Sequence, residues 1–203
     1  MIRNLLFDLG GVVIDIERRR CVEAFEALGL KNADSFFGEY VQSGVFLGLE
    51  NGSVGVDEFH KALRDAMPDG ISDYQIDQAF QQFIVGIPVK RLEALRQLRC
   101  KGYGIYLLSN TNPIMWRDKI ANEFGKEGLR REDYFDGMVT SFEARSCKPD
   151  SEIFKYTIEN LGLNPAETLF FDDSLANVEA AKALGFQAVE VKPGTEFMDY
   201  IPE

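Results

Sequence analysis

Four segments of the sequence carry side chains able to do chemistry, each at the end of an apolar run or just ahead of a helix. Asp8 follows Leu5-Leu6-Phe7 and precedes Leu9-Gly10-Gly11. Ser109-Asn110 follow the run from Tyr103 to Leu108, Lys148 lies in the loop from Ser146 to Asp150, and Asp172-Asp173 follow Thr168 to Phe171. Together they supply three carboxylates, a hydroxyl, an amide and an ammonium. A carboxylate closing a buried strand must find a partner or reach water, because burying it alone costs several kcal/mol. Carboxylates gathered in one place repel one another unless a cation neutralises them. Asp8, Asp172 and Asp173 are the oxygen-ligand type that suits Mg²⁺, which takes one or two carboxylates, water and a substrate phosphate. With that charge neutralised a phosphate can approach, and Lys148, Ser109 and Asn110 are placed to receive it. Asp8 is then free to attack phosphorus, since carboxylates serve as nucleophiles in phosphoryl transfer.

Each piece also has a plainer explanation. Asp8 and Ser109-Asn110 could only start turns, Lys148 could be a solvated loop lysine, and Asp173 could cap the helix that follows it. Their arrival in one order, each at a strand end or helix start, favours a single site. Open parallel sheets bind ligands outside the carboxyl ends of their strands.

The elements needed to position these groups are legible as pattern. Leu5 to Leu9 reads as a central buried strand. From Glu17 to about Val85 the sequence reads as an all-helical insertion. Its expected helices are Glu17–Leu28, Ala33–Val41, Asp57 to about Met67 and Asp73 to about Val85, with a glycine-rich loop over Gly44–Val56. From Pro88 onward strand and helix alternate: a helix over Val89–Lys101, a strand over Tyr103–Leu108 and a helix over Ile114–Phe124. Then come a strand over Gly137–Thr140, a helix over Ser151–Leu161 capped by Asp150, and a strand over Thr168–Phe171. A helix over Leu175–Leu184 and a strand over Phe186–Val191 complete the pattern. The expected architecture is an α/β domain of residues 1–15 and 88–203, interrupted by a helical block of residues 16–87.

Composition narrows the function classes. The chain has 203 residues and a formal net charge of -11, which disfavours nucleic acid and anionic membrane surfaces as partners. An anionic small substrate then needs a local cation. Cys21, Cys100 and Cys147 are odd in number and far apart, which argues against a disulfide framework or zinc site and for a reducing compartment. Cys21 and Cys100 fall in helical patterns as small core residues. Asp8 interrupts the only N-terminal apolar run, so no signal peptide is expected, and the expected location is the cytoplasm.

The order Asp8, Ser109, Lys148, Asp172-Asp173, carried by F-D-L-G-G-V, L-L-S-N-T-N, C-K-P-D and F-D-D-S, resembles the four motifs of the haloacid dehalogenase-like hydrolase superfamily. The resemblance covers nearly the whole chain. Phe46-Leu47-Gly48 to Phe59, Ile87-Pro88 and Leu108 to Asn112 look like the branch containing α-D-glucose-1-phosphate phosphatase and the phosphatase domain of soluble epoxide hydrolase. The resemblance implies a Rossmann-like parallel-sheet core and a mobile helical cap. It implies that Asp8 forms an aspartyl-phosphate, that Asp8, the Gly10 carbonyl and Asp173 hold Mg²⁺ with Asp172 close by or acting through water, and that Ser109 and Lys148 hold the phosphate. The expected activity is Mg²⁺-dependent hydrolysis of a small phosphorylated metabolite, such as glucose 1-phosphate. One departure stands out. Most phosphatases of the superfamily carry a second Asp two residues after the nucleophile as general acid and base, and here that position is Gly10. Either the leaving group is a good one, or water or a cap residue protonates it; Asp15 is a weak candidate, better explained as a helix cap or hinge.

Alternatives remain at this stage: a phosphomutase, a silent phosphate-binding module, a halide-cleaving enzyme, or a signalling receiver, whose acid pair would come first rather than last. His60 is assigned no role. Met115 and Trp116 could line the site, and Asn177 could orient Asp173 or Lys148.

Overall fold

The computed structural model describes residues 1–36 and 44–201. In chain order the elements begin with β1 (Asn4–Phe7), β2 (Asp15–Ile16), α1 (Arg18–Ala27), α2 (Ala33–Phe36), α3 (Gly44–Glu50), α4 (Val56–Ala66), α5 (Asp73–Gln81) and β3 (Ile84–Gly86). They continue with α6 (Val89–Cys100), β4 (Gly104–Ser109), α7 (Ala121–Phe124), α8 (Arg131–Tyr134), β5 (Gly137–Thr140), α9 (Ser141–Ala144), α10 (Ser151–Leu161), β6 (Thr168–Asp172), α11 (Leu175–Ala183) and β7 (Gln187–Glu190).

β1 is the middle strand of a five-stranded, wholly parallel sheet ordered β5-β4-β1-β6-β7. Strand alternation divides its apolar residues between two layers. Leu5, Phe7, Leu107 and Phe171 face one layer, and Leu6, Leu108 and Phe170 face the other. Phe7 stacks on Phe171 with ring centroids 4.8 Å apart and meets Phe197 edge-on. The connections from β1 and from β6 run to opposite sides of the sheet, so the strand order reverses between these two neighbours. Such a reversal opens a crevice at the carboxyl ends of the strands. Asp8 lies just beyond β1, and Asp172 closes β6. The fold is an α/β Rossmann-like sheet with many helices, as the alternation from Pro88 onward indicates.

The segment between β1 and α6 departs from the sequence expectation in two places. The helix expected to reach Val85 ends at Gln81, and Ile84–Gly86 form β3, antiparallel to β2. The insertion is therefore bounded by a two-stranded ribbon rather than being wholly helical. Ile84 is buried there, and the Glu17 amide donates to the Phe83 carbonyl. Gly44–Glu50, expected as loop, is the helix α3. Its glycine content misleads because Gly48 serves packing: a Cβ there would lie 2.3 Å from Val54 Cγ2. Only Ala33–Phe36 of the second expected helix is described, and residues 37–43 lie outside the described residues.

Phe25, Phe46, Phe59 and Phe80 form the aromatic centre of the inserted helices, with Phe46 edge-on to Phe25, Phe59 and Phe80. His60, buried on α4, ties this group together, with Nε2 2.7 Å from Asp77 Oδ1 on α5. Ser72 and Gln75 close a capping box at the start of α5.

Both ribbon strands are pinned to the sheet-bearing part. Asp15 accepts from Arg91 Nη1 at 2.7 Å, and Arg91 Nε also donates to Glu196 at 2.7 Å. Past β3, the Ile87 amide donates to the buried Glu123 carboxylate at 2.9 Å. Asp15 is thus held at the ribbon by an arginine.

Three smaller corrections follow from local geometry. The Asp150 side chain makes no capping bond to α10. Cys100 is exposed at the end of α6, because Leu92, Leu95 and Leu98 take the inward face. The stretch expected as one helix over Ile114–Phe124 has a wide-turned segment, Met115–Ile120, before α7.

Candidate active site

Lys148 is the hub of the crevice. Its ammonium lies 2.8 Å from Asp8 Oδ1 and 2.6 Å from Asp172 Oδ2, and it donates to the Leu108 carbonyl at 3.2 Å. All three side chains are buried. Asn110 holds the lysine's main chain from both sides: Nδ2 donates to the Lys148 carbonyl at 3.0 Å, and Oδ1 accepts the Lys148 amide at 2.9 Å. Asn110, expected on the substrate side, has its side-chain amide on the main chain of Lys148. Ser109 is buried beside it, its hydroxyl donating to the adjacent Asn110 carbonyl at 3.3 Å. Ser141 braces the following turn, its hydroxyl accepting the Thr111 amide and donating to the Thr111 carbonyl.

The carboxylates are not equivalent. Ligand oxygens of Asp8, Asp172 and Asp173 all lie within 4.8 Å of one another. Asp172 has both oxygens engaged, Oδ2 by Lys148 and Oδ1 by the Ser174 amide and Asn177 Nδ2, each at 2.9 Å. Asn177 thus orients Asp172, not Asp173 or Lys148 directly. No capping bond runs from Asp173 to α11; the amide of Ser174 goes to Asp172 instead. Asp173 instead reaches toward Gly11, where a Cβ would lie 2.3 Å from its Oδ2. Gly11 has φ +74, so the second glycine of the Gly-Gly pair permits both the turn and this approach.

Charge crowding shifts the proton affinities within the group. Burial, then the neighbouring Asp172 and Asp173, push the Asp8 carboxyl up to about 7, because the one Lys148 ammonium is shared with Asp172. Burial and Asp172 also raise the Asp173 carboxyl. Burial works against the Lys148 charge, but Asp172 and Asp8 outweigh it and hold the ammonium up to about 12. Three carboxylates with one ammonium are short of positive charge. This deficit, with oxygen-only donors, fits Mg²⁺.

A cavity of about 40 Å³ adjoins this group, lined among others by Gly10, Glu50, Ser109, Asn110, Thr111 and Met115. Glu50, the last residue of α3, escaped the sequence reading; its only signal there is a carboxylate next to the turn pair Asn51-Gly52. Met115 both lines the cavity and is buried in the core, whereas Trp116 carries the Arg131 guanidinium 4.1 Å over its ring.

The family model for haloacid dehalogenase-like hydrolases matches residues 2–185. This chain belongs to that family. It is an enzyme, a phosphatase among those hydrolases. It is 38% identical over 197 residues to D-ribitol-5-phosphate phosphatase of Bacteroides thetaiotaomicron, covering 97% of this chain and 95% of that protein. It is 25% identical to a phosphorylated carbohydrates phosphatase of Thermotoga maritima, over 91% of this chain and 82% of that one. A family enzyme of B. thetaiotaomicron, solved in complex with magnesium and inorganic phosphate, superposes with a TM-score of 0.95 at 39% identity, covering 100% of both chains. Among the described residues no helix is long and apolar enough to cross a membrane.

Proposed function

We propose that this chain is a Mg²⁺-dependent phosphatase of small phosphorylated carbohydrates, an alditol or sugar phosphate, acting through an aspartyl-phosphate on Asp8. The observation that carries the reading is the Lys148 ammonium between Asp8 and Asp172, with Asp173 alongside, at the reversal point of the sheet. The substrate class is supported by the two carbohydrate-phosphate phosphatases that the chain resembles.

Roles follow from which atoms are already engaged. Asp8 uses its Oδ1 on Lys148, leaving Oδ2 to attack phosphorus. Asp8, the Gly10 carbonyl and Asp173 are the direct metal ligands. Asp172, occupied on both oxygens, holds Lys148 and acts on the metal at one remove. Magnesium, when bound, supplies positive charge against the charge of the transferring phosphoryl group. Lys148 and the Ser109 hydroxyl hold the phosphoryl oxygens, and Asn110 keeps Lys148 in place.

Residues 16–87 act as a cap on the domain of residues 1–15 and 88–203, turning at the β2–β3 ribbon. A cavity of about 40 Å³ has room for only about two or three waters, so substrate enters when the cap lifts. The three cysteines are free, which suits a reducing cytoplasm as the working compartment.

Phosphate release from ribitol 5-phosphate, glucose 1-phosphate and other sugar phosphates, with Mg²⁺ and with excess chelator, tests the reading. Metal-dependent release from one of them is expected. A phosphomutase would return the phosphoryl group to sugar and release no phosphate.

Proton competition at Asp8 adds a second expectation. Asp8 must ionise to bind the cation, so Mg²⁺ affinity should be level above pH 7 and fall about tenfold per pH unit below it. Lys148 stays charged throughout that range. Titration calorimetry between pH 5.5 and 8, roughly one unit of margin on each side, checks this; a flat affinity contradicts it.

A further inference from the structure

Transfer from an alkyl phosphate leaves an alkoxide that must gain a proton, and the second half of the cycle needs a base to take one from water. At the strand ends each carboxylate of the described residues already has another task. Asp8 is the nucleophile, Asp172 is tied on both oxygens, and Asp173 is assigned to the metal. Gly10 has no side chain, and a Cβ there would meet Ile16 Cδ1 at 3.3 Å. Asp15 stands at the ribbon and is not among the described residues that line the adjoining cavity.

Across the cavity stands Glu50. Among the described residues that line it, Glu50 is the only carboxylate, and it shares that lining with Ser109, Asn110 and Gly10. Its field reaches the loop of Lys148: burial first, then Glu50, push the neighbouring Cys147 thiol up to about 11. The position is built. Gly48 lets Val54 fold back against α3, and the Asn51 side chain accepts the Ser53 amide to close the turn after Glu50. Gly52, at φ +70, lies against the core, where a Cβ would be 2.4 Å from the Phe142 carbonyl oxygen. That close approach docks the turn after Glu50 on α9.

We infer that Glu50 is the general acid and base of this enzyme, supplied by the cap in place of a side chain at position 10. This rests on the phosphatase reading above. In the first half, the Glu50 carboxyl gives its proton to the ester oxygen as the phosphorus–oxygen bond to the alcohol breaks and the bond to Asp8 forms. In the second, the Glu50 carboxylate takes a proton from water as that water's oxygen bonds phosphorus and the bond to Asp8 breaks. Alcohol and phosphate leave, and Glu50 is protonated again.

The test compares wild type, Glu50→Gln and Glu50→Ala on an alditol phosphate and on p-nitrophenyl phosphate, whose leaving group needs no proton. Glu50→Gln should lose about 10²- to 10⁴-fold in kcat on the alditol phosphate. On p-nitrophenyl phosphate it should keep a first-turnover burst within about threefold of wild type. Steady turnover should then be slow, with phosphoryl groups accumulating on the protein. Added formate should restore part of the Glu50→Ala turnover, which a folding or binding defect would not allow. Glu50→Gln turning over both esters like wild type, or losing burst and steady state equally, overturns the inference. A wild type that hydrolyses none of these esters overturns the phosphatase reading as well, and shows this before any variant is compared.

Discussion

Asp8→Asn is expected to abolish turnover, by at least about 10³-fold, while making the metal-free protein more stable at pH 8. Asparagine has nearly the shape of the protonated carboxyl and cannot form the aspartyl-phosphate. The stability gain follows from linkage. The Asp8 carboxyl, raised by burial and its acidic neighbours to about 7, has its ordinary value of 3.8 in the unfolded chain. The native protein therefore binds the proton more tightly, and the associated stability is present below pH 4 and lost as pH rises through about 7. Removing the ionisable group should raise the Tm by several degrees at pH 8, with the gain shrinking toward pH 4. Melting curves of both proteins in chelator across that range check the sign. A variant less stable than wild type at pH 8 would mean that ionised Asp8 is well satisfied without metal.

Lys148→Met should have the opposite effect on stability and a comparable effect on activity. The ammonium is almost wholly buried and touches two buried carboxylates, so its removal leaves an uncompensated pair. Breaking such a group costs roughly 3–5 kcal/mol, which in a chain of this size lowers the Tm by about 6–20 °C. The loss should be smaller at low pH, where Asp8 takes up a proton, and partly reversed by Mg²⁺. Binding of inorganic phosphate, measured on the folded fraction, should disappear. A Tm within about 2 °C of wild type would show that the carboxylates do not depend on this lysine.

The chemistry was more legible in the sequence than its delivery. Asp8, Ser109 and Asp172-Asp173 each interrupt or follow an apolar run, Lys148 lies in a loop just ahead of a helix, and buried strands announce themselves by composition. Their meeting at one sheet edge follows from parallel topology, and the structure brings them together. Which carboxylate is free for metal was not legible, because it depends on the Ser174 amide and Asn177 reaching Asp172. Nor was the pair of hydrogen bonds between the Asn110 side chain and the main chain of Lys148, a contact across 38 residues. In the inserted segment, local signals misled. Glycine in Gly44–Glu50 suggested loop, yet Gly48 makes room for Val54 inside a helix. Ile84–Gly86 continued a helical pattern and became a strand only because β2 lies opposite. Glu50 was hidden for the same reason, since it joins the cavity lining only in the fold in which Gly52 packs against Phe142.

The central claim is that the phosphoryl group passes through Asp8. The most direct measurement is an acid quench within the first turnover on a substrate labelled in its phosphoryl group, followed by proteolysis and peptide mapping. The account predicts a hydroxylamine-labile label on the peptide containing Asp8, absent without Mg²⁺ and absent in Asp8→Asn. Phosphate released at full rate with no label on the protein would contradict it.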